Sequence, residues 1–161
     1  MLTGCGSVAP AQPAASAGYD FPALNGRVVD AAQLLPPAPR AAIDGKLKAL
    51  ETRTRHQFVV VTIPSLGGHS IEDYGVRLGR SWGIGRKGIN DGVLLIVAPN
   101  DRKVRIEVGY GLEKALRDDE AKSIIDTAIL PAFRAGDFPR GIAAGVDGVI
   151  REISPPERLA A

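Results

Sequence analysis

The stretch from Gly92 to Val108, which reads GVLLIVA-PNDR-KVRIEV, decides the fold. Its first seven residues are an uninterrupted apolar run, which is typical of a strand buried on both faces of a sheet. Pro99–Arg102 is a turn signal. After the turn, apolar and charged residues alternate, which favours a strand with one polar face. The stretch therefore predicts a β-hairpin whose second strand lies nearer the edge of the sheet.

Strands and helices alternate in the sequence that precedes this hairpin. A short strand is predicted over 27–30, and a second apolar strand, QFVVVTI, over 57–63. The segment between them has apolar residues at helical spacing and predicts a helix that ends near Thr54. Ser70, followed by two acids in the next turn, predicts the N-cap of a further helix. Gly83 is expected to end that helix.

Two more helices are predicted after the hairpin. One starts at about Asp118, and the other starts at Asp137 with Pro139 in its first turn. The resulting order is β-α-β-α-β-β-α-α. This order predicts an α/β fold in which helices cover both faces of a mixed, mostly parallel sheet of about four strands.

Composition and charge narrow the class of protein. The 161 residues suit a single domain, and aromatic residues are only 5%, so the core must be aliphatic. The formal net charge is +2 with acids and bases intermixed, which argues against a nucleic-acid-binding protein. The single cysteine excludes an internal disulfide and a multi-cysteine metal site.

The segment Gly83–Gly88, GIGRKG, matches the letters of the dinucleotide-binding fingerprint. That fingerprint requires a preceding strand and a following helix, whose N-terminus holds the phosphates. Here the predicted order is reversed, with a helix before and a strand after. We therefore expect a turn-rich loop and no nucleotide.

The N-terminal segment has the composition of a tether. Residues 6–18 are uncharged and rich in Ala, Pro, Ser and Gly, which predicts a disordered linker within a tether of residues 1–20. Leu2–Cys5 (LTGC) ahead of it resembles the bacterial lipobox. That resemblance implies a lipid-anchored, extracytoplasmic protein with diacylglycerol on Cys5. We expect the basic and apolar parts of the signal peptide to belong ahead of Met1.

Carboxylates are predicted to gather at one end of the sheet. Asp91 starts the first hairpin strand, Glu113 follows the exit of the second, and Asp118 begins the next helix. Asp30 could join them if its strand runs parallel to the first hairpin strand with an offset. Oxygen ligands without His or Cys suit Ca²⁺ or Mg²⁺. The alternative is that Asp118 is a plain helix cap and Asp91 a turn residue.

Four stretches resemble the TPM domain: 21–30 (FPALNGRVVD), 81–95 (SWGIGRKGINDGVLL), 105–113 (RIEVGYGLE) and 129–138 (ILPAFRAGDF). The resemblance covers 21–153 and leaves 154–161 as a short tail. It implies an α/β sandwich in a periplasmic or other extracytoplasmic space. It also implies cation-binding acids at Asp30, Asp91, Glu113 and Asp118, whereas Arg117 stands where many members have proline.

The resemblance suggests two functions. The first is an interaction or accessory module that binds a divalent cation and an envelope membrane protein, with the membrane reached through the lipid anchor. The alternative is a metal-assisted, acid phosphatase-like hydrolase. The sequence offers that alternative no evident nucleophile or histidine base, because His56 and His69 are both expected to be surface residues.

Overall fold

The computed structural model describes residues 18–155. The strands are β1 (Val28–Asp30), β2 (Gln57–Thr62), β3 (Gly92–Ala98) and β4 (Lys103–Val108). The helices are α1 (Pro37–Thr54), α2 (Ile71–Trp82), α3 (Asp118–Ile124), α4 (Leu130–Arg134) and α5 (Phe138–Ile153). A 3₁₀ turn, Tyr110–Leu112, follows β4, and a π-helical segment, Ile125–Ile129, joins α3 to α4.

The strands form one mixed sheet in the order β1-β2-β3-β4. β1, β2 and β3 are parallel, with Val60 paired to both Val28 and Leu95, and β4 lies antiparallel to β3 at the edge. The predicted fold class and hairpin are confirmed. The strand ends define two further borders of the sheet. We call the border where the parallel strands begin, which holds Gly92 and Val108, the N-terminal edge. We call the border where they end, which holds Ala98 and Lys103, the C-terminal edge.

The sheet separates two apolar cores. On one face, α1 and α5 pack over alternate sheet residues such as Val60 and Leu95. On the other face, α2 packs over their neighbours, such as Val61 and Ile96. Because β2 and β3 are buried from both sides, nearly every residue in them must be apolar. This explains the continuous apolar runs that the sequence shows.

The helix predicted from about Asp118 is divided into α3, the π-helical segment and α4. Pro131 accounts for the division, because proline has no N–H to donate to a carbonyl four residues back. Just ahead of it, the Leu130 N–H donates to the Ile125 carbonyl, five residues back. The resulting bulge leaves Ile129 fully buried against α5.

Residues 18–22 pack against the outer side of α2. The Tyr19 ring stacks on His69 with ring centroids 3.8 Å apart, and Trp82 Nε1 donates to the Pro22 carbonyl at 3.1 Å. The Tyr74 hydroxyl donates to the Asp20 carbonyl at 3.3 Å, and burial raises the pKa of Tyr74 to about 12. The packed part of the chain thus begins ahead of Phe21.

Cys5, where lipidation is predicted, lies outside the described residues. Within residues 18–155, none of the helices combines the length and the apolar character needed to cross a membrane.

Glycines in α5 allow this helix to pack closely against the π-helical segment and α4. A β-carbon at Gly141 would lie 2.5 Å from the Phe133 ring, and one at Gly145 would lie 2.6 Å from the Ile129 side chain. Both distances are too short for carbon atoms in contact. Gly45, on the exposed side of α1, has open space around it.

Alanine at Gly141 should therefore lower the free energy of unfolding by about 1–3 kcal/mol, because the helices must move apart. Gly45→Ala should raise it by about 0.5–1 kcal/mol, because alanine favours a helix interior. Urea denaturation of both variants checks the pair. Equal effects of the two substitutions would contradict the close approach of α5.

Candidate functional site

Asp91 is the one charged residue buried within the part of the chain that the structure describes. It stands just before β3 at the N-terminal edge, and only 1% of its surface is exposed. A carboxylate placed in such surroundings needs partners of opposite charge and hydrogen-bond donors. Its environment therefore determines what this edge can do.

Arg86 provides most of those partners. The Arg86 backbone N–H donates to Asp91 Oδ1 at 2.9 Å, while its Nε and Nη2 donate to Oδ2 at 2.9 and 2.6 Å. His56 Nδ1 lies 3.1 Å from the same oxygen. Burial alone would raise the pKa of Asp91, but the hydrogen bonds from Arg86 and His56 outweigh burial and hold it well below its usual range. Asp91 is thus a carboxylate that stays charged.

The loop between α2 and β3 is folded around this ion pair. Gly83, Gly85 and Gly88 have positive φ angles of 64°, 92° and 79°, a region that favours glycine. The Gly85 N–H donates to Gln57 Oε1 at 2.7 Å, which ties the loop to the start of β2. The GxGxxG glycines therefore form turns in a loop, as the sequence indicates, and no helix begins there.

A second backbone segment packs directly onto this loop. The Gly109 N–H donates to the Gly92 carbonyl at 2.7 Å, and the Gly111 N–H donates to the Asn90 carbonyl at 3.0 Å. A β-carbon at Gly111 would overlap the Ile89 carbonyl oxygen. The two glycines of the Gly-Tyr-Gly sequence after β4 thus allow two backbone segments to make contact. The tyrosine between these glycines is directed outward.

The result is a surface with exposed apolar side chains. Tyr110 is 80% exposed and Ile89 is 48% exposed. A cleft of about 570 Å³ runs beside Tyr110 and is also lined by the charged residues Arg80, Lys87, Glu107 and Glu113. We call the surface formed by Lys87, Ile89, Asn90, Tyr110 and Glu113 the Tyr110 face.

Asp30 lies away from the other predicted cation ligands. It ends β1 at the C-terminal edge, whereas Asp91 lies at the N-terminal edge. Its two oxygens accept the backbone N–H groups of Leu34 and Leu35, both at 2.9 Å, and Thr62 Oγ1 donates to it at 2.6 Å. Asp30 therefore holds the turn between β1 and α1. It does not join the other acids, because the end of β1 and the start of the parallel strand β3 lie at opposite edges of the sheet.

The remaining acids keep unpaired carboxylates. Glu113 follows the 3₁₀ turn and Asp118 lies in the first turn of α3; both are exposed, and neither contacts a side-chain partner within residues 18–155. In the same range, no group of three or more His, Cys, Asp or Glu side chains could hold a metal ion. The four acids thus do not form one site, and cation binding stays a prediction.

The sequence did not predict that Arg86 and His56 are the partners of Asp91. Arg86 contacts Asp91 only because the glycine-rich loop turns back on itself. His56 reaches it because Gln57 pairs with Gly92 between β2 and β3, which places 56 beside 91. His56 is thus partly buried beside the Asp91–Arg86 ion pair, whereas a surface position was expected.

Together, the sheet order and this edge define a class of α/β sandwich domain that presents a rigid pair of loops. The sequence profile of the TPM domain matches residues 28–152. The chain therefore belongs to the TPM domain family.

Solved structures agree with this assignment. The N-terminal domain of a protein from P. gingivalis is 38% identical, with a TM-score of 0.74 over 78% of this chain and 80% of that one. The N-terminal domain of cg2496 from Corynebacterium glutamicum has a TM-score of 0.62 at 16% identity, over 88% of this chain and 91% of that one. BA42 from Bizionia argentinensis has a TM-score of 0.65 at 20% identity, over 75% of this chain and 82% of that one. The last two show the shared fold alone.

The search of curated protein sequences gave no match.

Replacing Asp91 by asparagine should lower the free energy of unfolding at neutral pH by about 3 kcal/mol, because Arg86 loses its buried partner. The depressed pKa of Asp91 adds a pH dependence. Its contribution is complete above a pH of about 4, the unfolded value, and is lost as the pH falls toward the folded-state pKa. The difference between wild type and Asp91→Asn should therefore shrink below pH of about 4.

Asp147→Asn is the matched control, because Asp147 forms an exposed ion pair with Lys46. Its effect should stay within about 1 kcal/mol. Chemical denaturation at several pH values checks both variants. If the gap between wild type and Asp91→Asn does not narrow in acid, the ion pair does not stabilise the fold as described.

Proposed function

We propose that this TPM domain is an extracytoplasmic interaction module, which binds a partner protein in the cell envelope through the Tyr110 face. The observation that carries the proposal is the 80% exposure of Tyr110 on a backbone that is held in place. An exposed aromatic ring on a fixed backbone is a common centre of a protein interface. Ile89 extends this apolar surface.

The fixed backbone of the Tyr110 face supports binding, because the two loops need little further ordering when a partner associates. Hydrogen bonds from Gly109 and Gly111 join the two loops, and the Asp91–Arg86 ion pair holds one of them from inside. A surface that is already in its bound conformation loses less conformational entropy on binding. Tyr110 itself has few rotatable bonds to restrict.

The charges around Tyr110 favour a partner with both signs of charge. Arg80 lines the adjacent cleft from α2 and Lys87 lines it from the loop, while Glu107 of β4 and Glu113 also line it. A polar rim of mixed charge contributes orientation and specificity more than affinity. This arrangement is better suited to a protein surface than to nucleic acid, which would require a uniformly basic patch.

The location in the envelope follows from the predicted lipidation of Cys5. An acyl anchor would hold the domain near the membrane, and membrane proteins would then be the most accessible partners. Labelling of the protein with a radioactive or clickable fatty acid tests this part by itself, with Cys5→Ser as the control.

A photo-cross-linking amino acid in place of Tyr110 or Ile89 should give a defined cross-linked product in intact cells. The same group in place of Lys48, an exposed residue of α1, should not give it. Tyr110→Ser should weaken binding of the identified partner by about tenfold or more, because it removes a central aromatic contact. Its unfolding curve should match wild type.

Equal cross-linking from positions 48 and 110 would contradict the proposal. So would full binding by Tyr110→Ser.

The predicted cation site shares Glu113 with the Tyr110 face, but cation binding can be measured without the partner. Of the four predicted ligands, Glu113 and Asp118 are exposed and have no side-chain partner in the described range, whereas Asp30 and Asp91 are engaged. Mg²⁺ is often held by one or two carboxylates with several waters. We expect calorimetry with Ca²⁺ or Mg²⁺ to show millimolar affinity that Glu113→Gln abolishes and Glu72→Gln, an exposed α2 control, retains. Absence of heat at millimolar metal would contradict the cation prediction.

The hydrolase alternative has less support from the geometry. A metal-assisted phosphatase needs a carboxylate that can hold a metal and thereby activate water. Asp91 accepts three hydrogen bonds from Arg86 and a contact from His56, so its oxygens are already occupied. Interaction with a partner therefore fits the N-terminal edge better than catalysis does.

A further inference from the structure

A second concave surface lies at the C-terminal edge of the sheet, between the β3–β4 turn and the region where α4 ends and α5 begins. Its volume is about 630 Å³, within the range of small-molecule sites. The length of β4 separates it from the Tyr110 face, a distance of roughly 20 Å. We call it the Phe133 cleft, and its lining includes Val97, Val104, Leu130, Phe133 and Phe138.

Most of this lining is apolar. Phe133 and Phe138 stand with ring centroids 4.8 Å apart, and Leu130 lies beside them. All three side chains are only partly buried, so the cleft leaves apolar surface in contact with water. A ligand with a hydrocarbon chain or ring would remove that surface from water, which is favourable.

Three cations stand around this apolar lining: Arg102, Lys103 and Arg134. All are exposed, and no carboxylate among residues 18–155 forms an ion pair with any of them. No acidic residue lines the cleft. The positive charge of this cleft is therefore not neutralised by its own lining.

The acids nearest in sequence are directed elsewhere. Asp101 Oδ2 accepts the Leu66 backbone N–H at 2.9 Å, across the turn. Asp137 caps α5 by accepting the Arg140 N–H at 3.2 Å, and it also lies 3.7 Å from Arg140 Nε. Both acids that could neutralise the cations of the Phe133 cleft thus have structural roles of their own.

From the pairing of an apolar floor with an uncompensated cationic rim, we propose that the Phe133 cleft binds an amphiphilic anion. Its ligand is a small molecule with one hydrocarbon chain or ring and a phosphate or carboxylate group. The guanidinium groups of Arg102 and Arg134 suit such groups because each can donate two parallel hydrogen bonds. This site is separate from the Tyr110 face and does not depend on it.

Arg102 offers a substitution that tests binding without endangering the fold. Its φ angle is 53°, in the left-handed region that favours glycine. Arg102→Gly therefore removes the guanidinium and relieves backbone strain at the same time. Its thermal stability should equal or exceed that of wild type, while its affinity for the anion should fall.

Calorimetry with decyl phosphate tests the proposal, with inorganic phosphate and decanol as the two halves of the ligand. We expect decyl phosphate to bind with one-to-one stoichiometry and at least about tenfold more tightly than either half. Arg102→Gly and Arg134→Gln should each weaken it about tenfold. Arg151→Gln is the matched control, since Arg151 and Arg134 both lie in the last turn of a helix.

NMR titration of the wild type places the ligand without any variant, and the largest shifts should fall on Phe133 and Phe138. Decyl phosphate that does not saturate, or that binds as well to both arginine variants, would overturn the proposal. Equal affinity for decanol would also overturn it, because the cations would then have no part. Binding to phosphatidylglycerol vesicles without binding of monomeric decyl phosphate would show a membrane-surface patch in place of a ligand site.

Discussion

The ion pair between buried Asp91 and Arg86 is the contact on which the N-terminal edge depends. It joins three segments of the chain, because His56 lies just before β2, Arg86 lies in the loop after α2, and Asp91 lies just before β3. A buried carboxylate without these partners would be strongly unfavourable. The loop is therefore held against the sheet by electrostatics, whereas most of the domain is held by apolar packing.

This division explains how one small sheet presents two different surfaces. The apolar layers on both faces of β2 and β3 form a rigid body that needs no charged group inside it. At the N-terminal edge, the buried charge fixes two polar, glycine-rich loops and leaves Tyr110 exposed. At the C-terminal edge, the short β3–β4 turn instead places cations beside partly buried aromatic rings. The P. gingivalis, Corynebacterium glutamicum and Bizionia argentinensis structures share the fold of this sheet and its helices.

The sequence predicted those parts of the structure that depend on local pattern. The apolar run of β3, the Ser70 cap of α2 and the start of α5 directly after Asp137 all follow from neighbouring residues, and the structure agrees with each prediction. The partners of Asp91 could not be predicted in this way, because His56 meets it only through the register of β2 and β3. Asp30 shows the same limit, since its carboxylate is used by a turn that only the folded backbone forms.

Amide hydrogen exchange in wild type and in Asp91→Asn tests most directly whether the buried ion pair holds the Tyr110 face in place. The Arg86 N–H donates to Asp91, and the Gly111 N–H donates to the Asn90 carbonyl of the loop that the ion pair holds. We predict that both amides exchange much faster in the variant than global unfolding accounts for, while those of β2 follow global stability. Uniform acceleration of all amides, or unchanged protection at Gly111, would show that the ion pair does not hold the Tyr110 face in place.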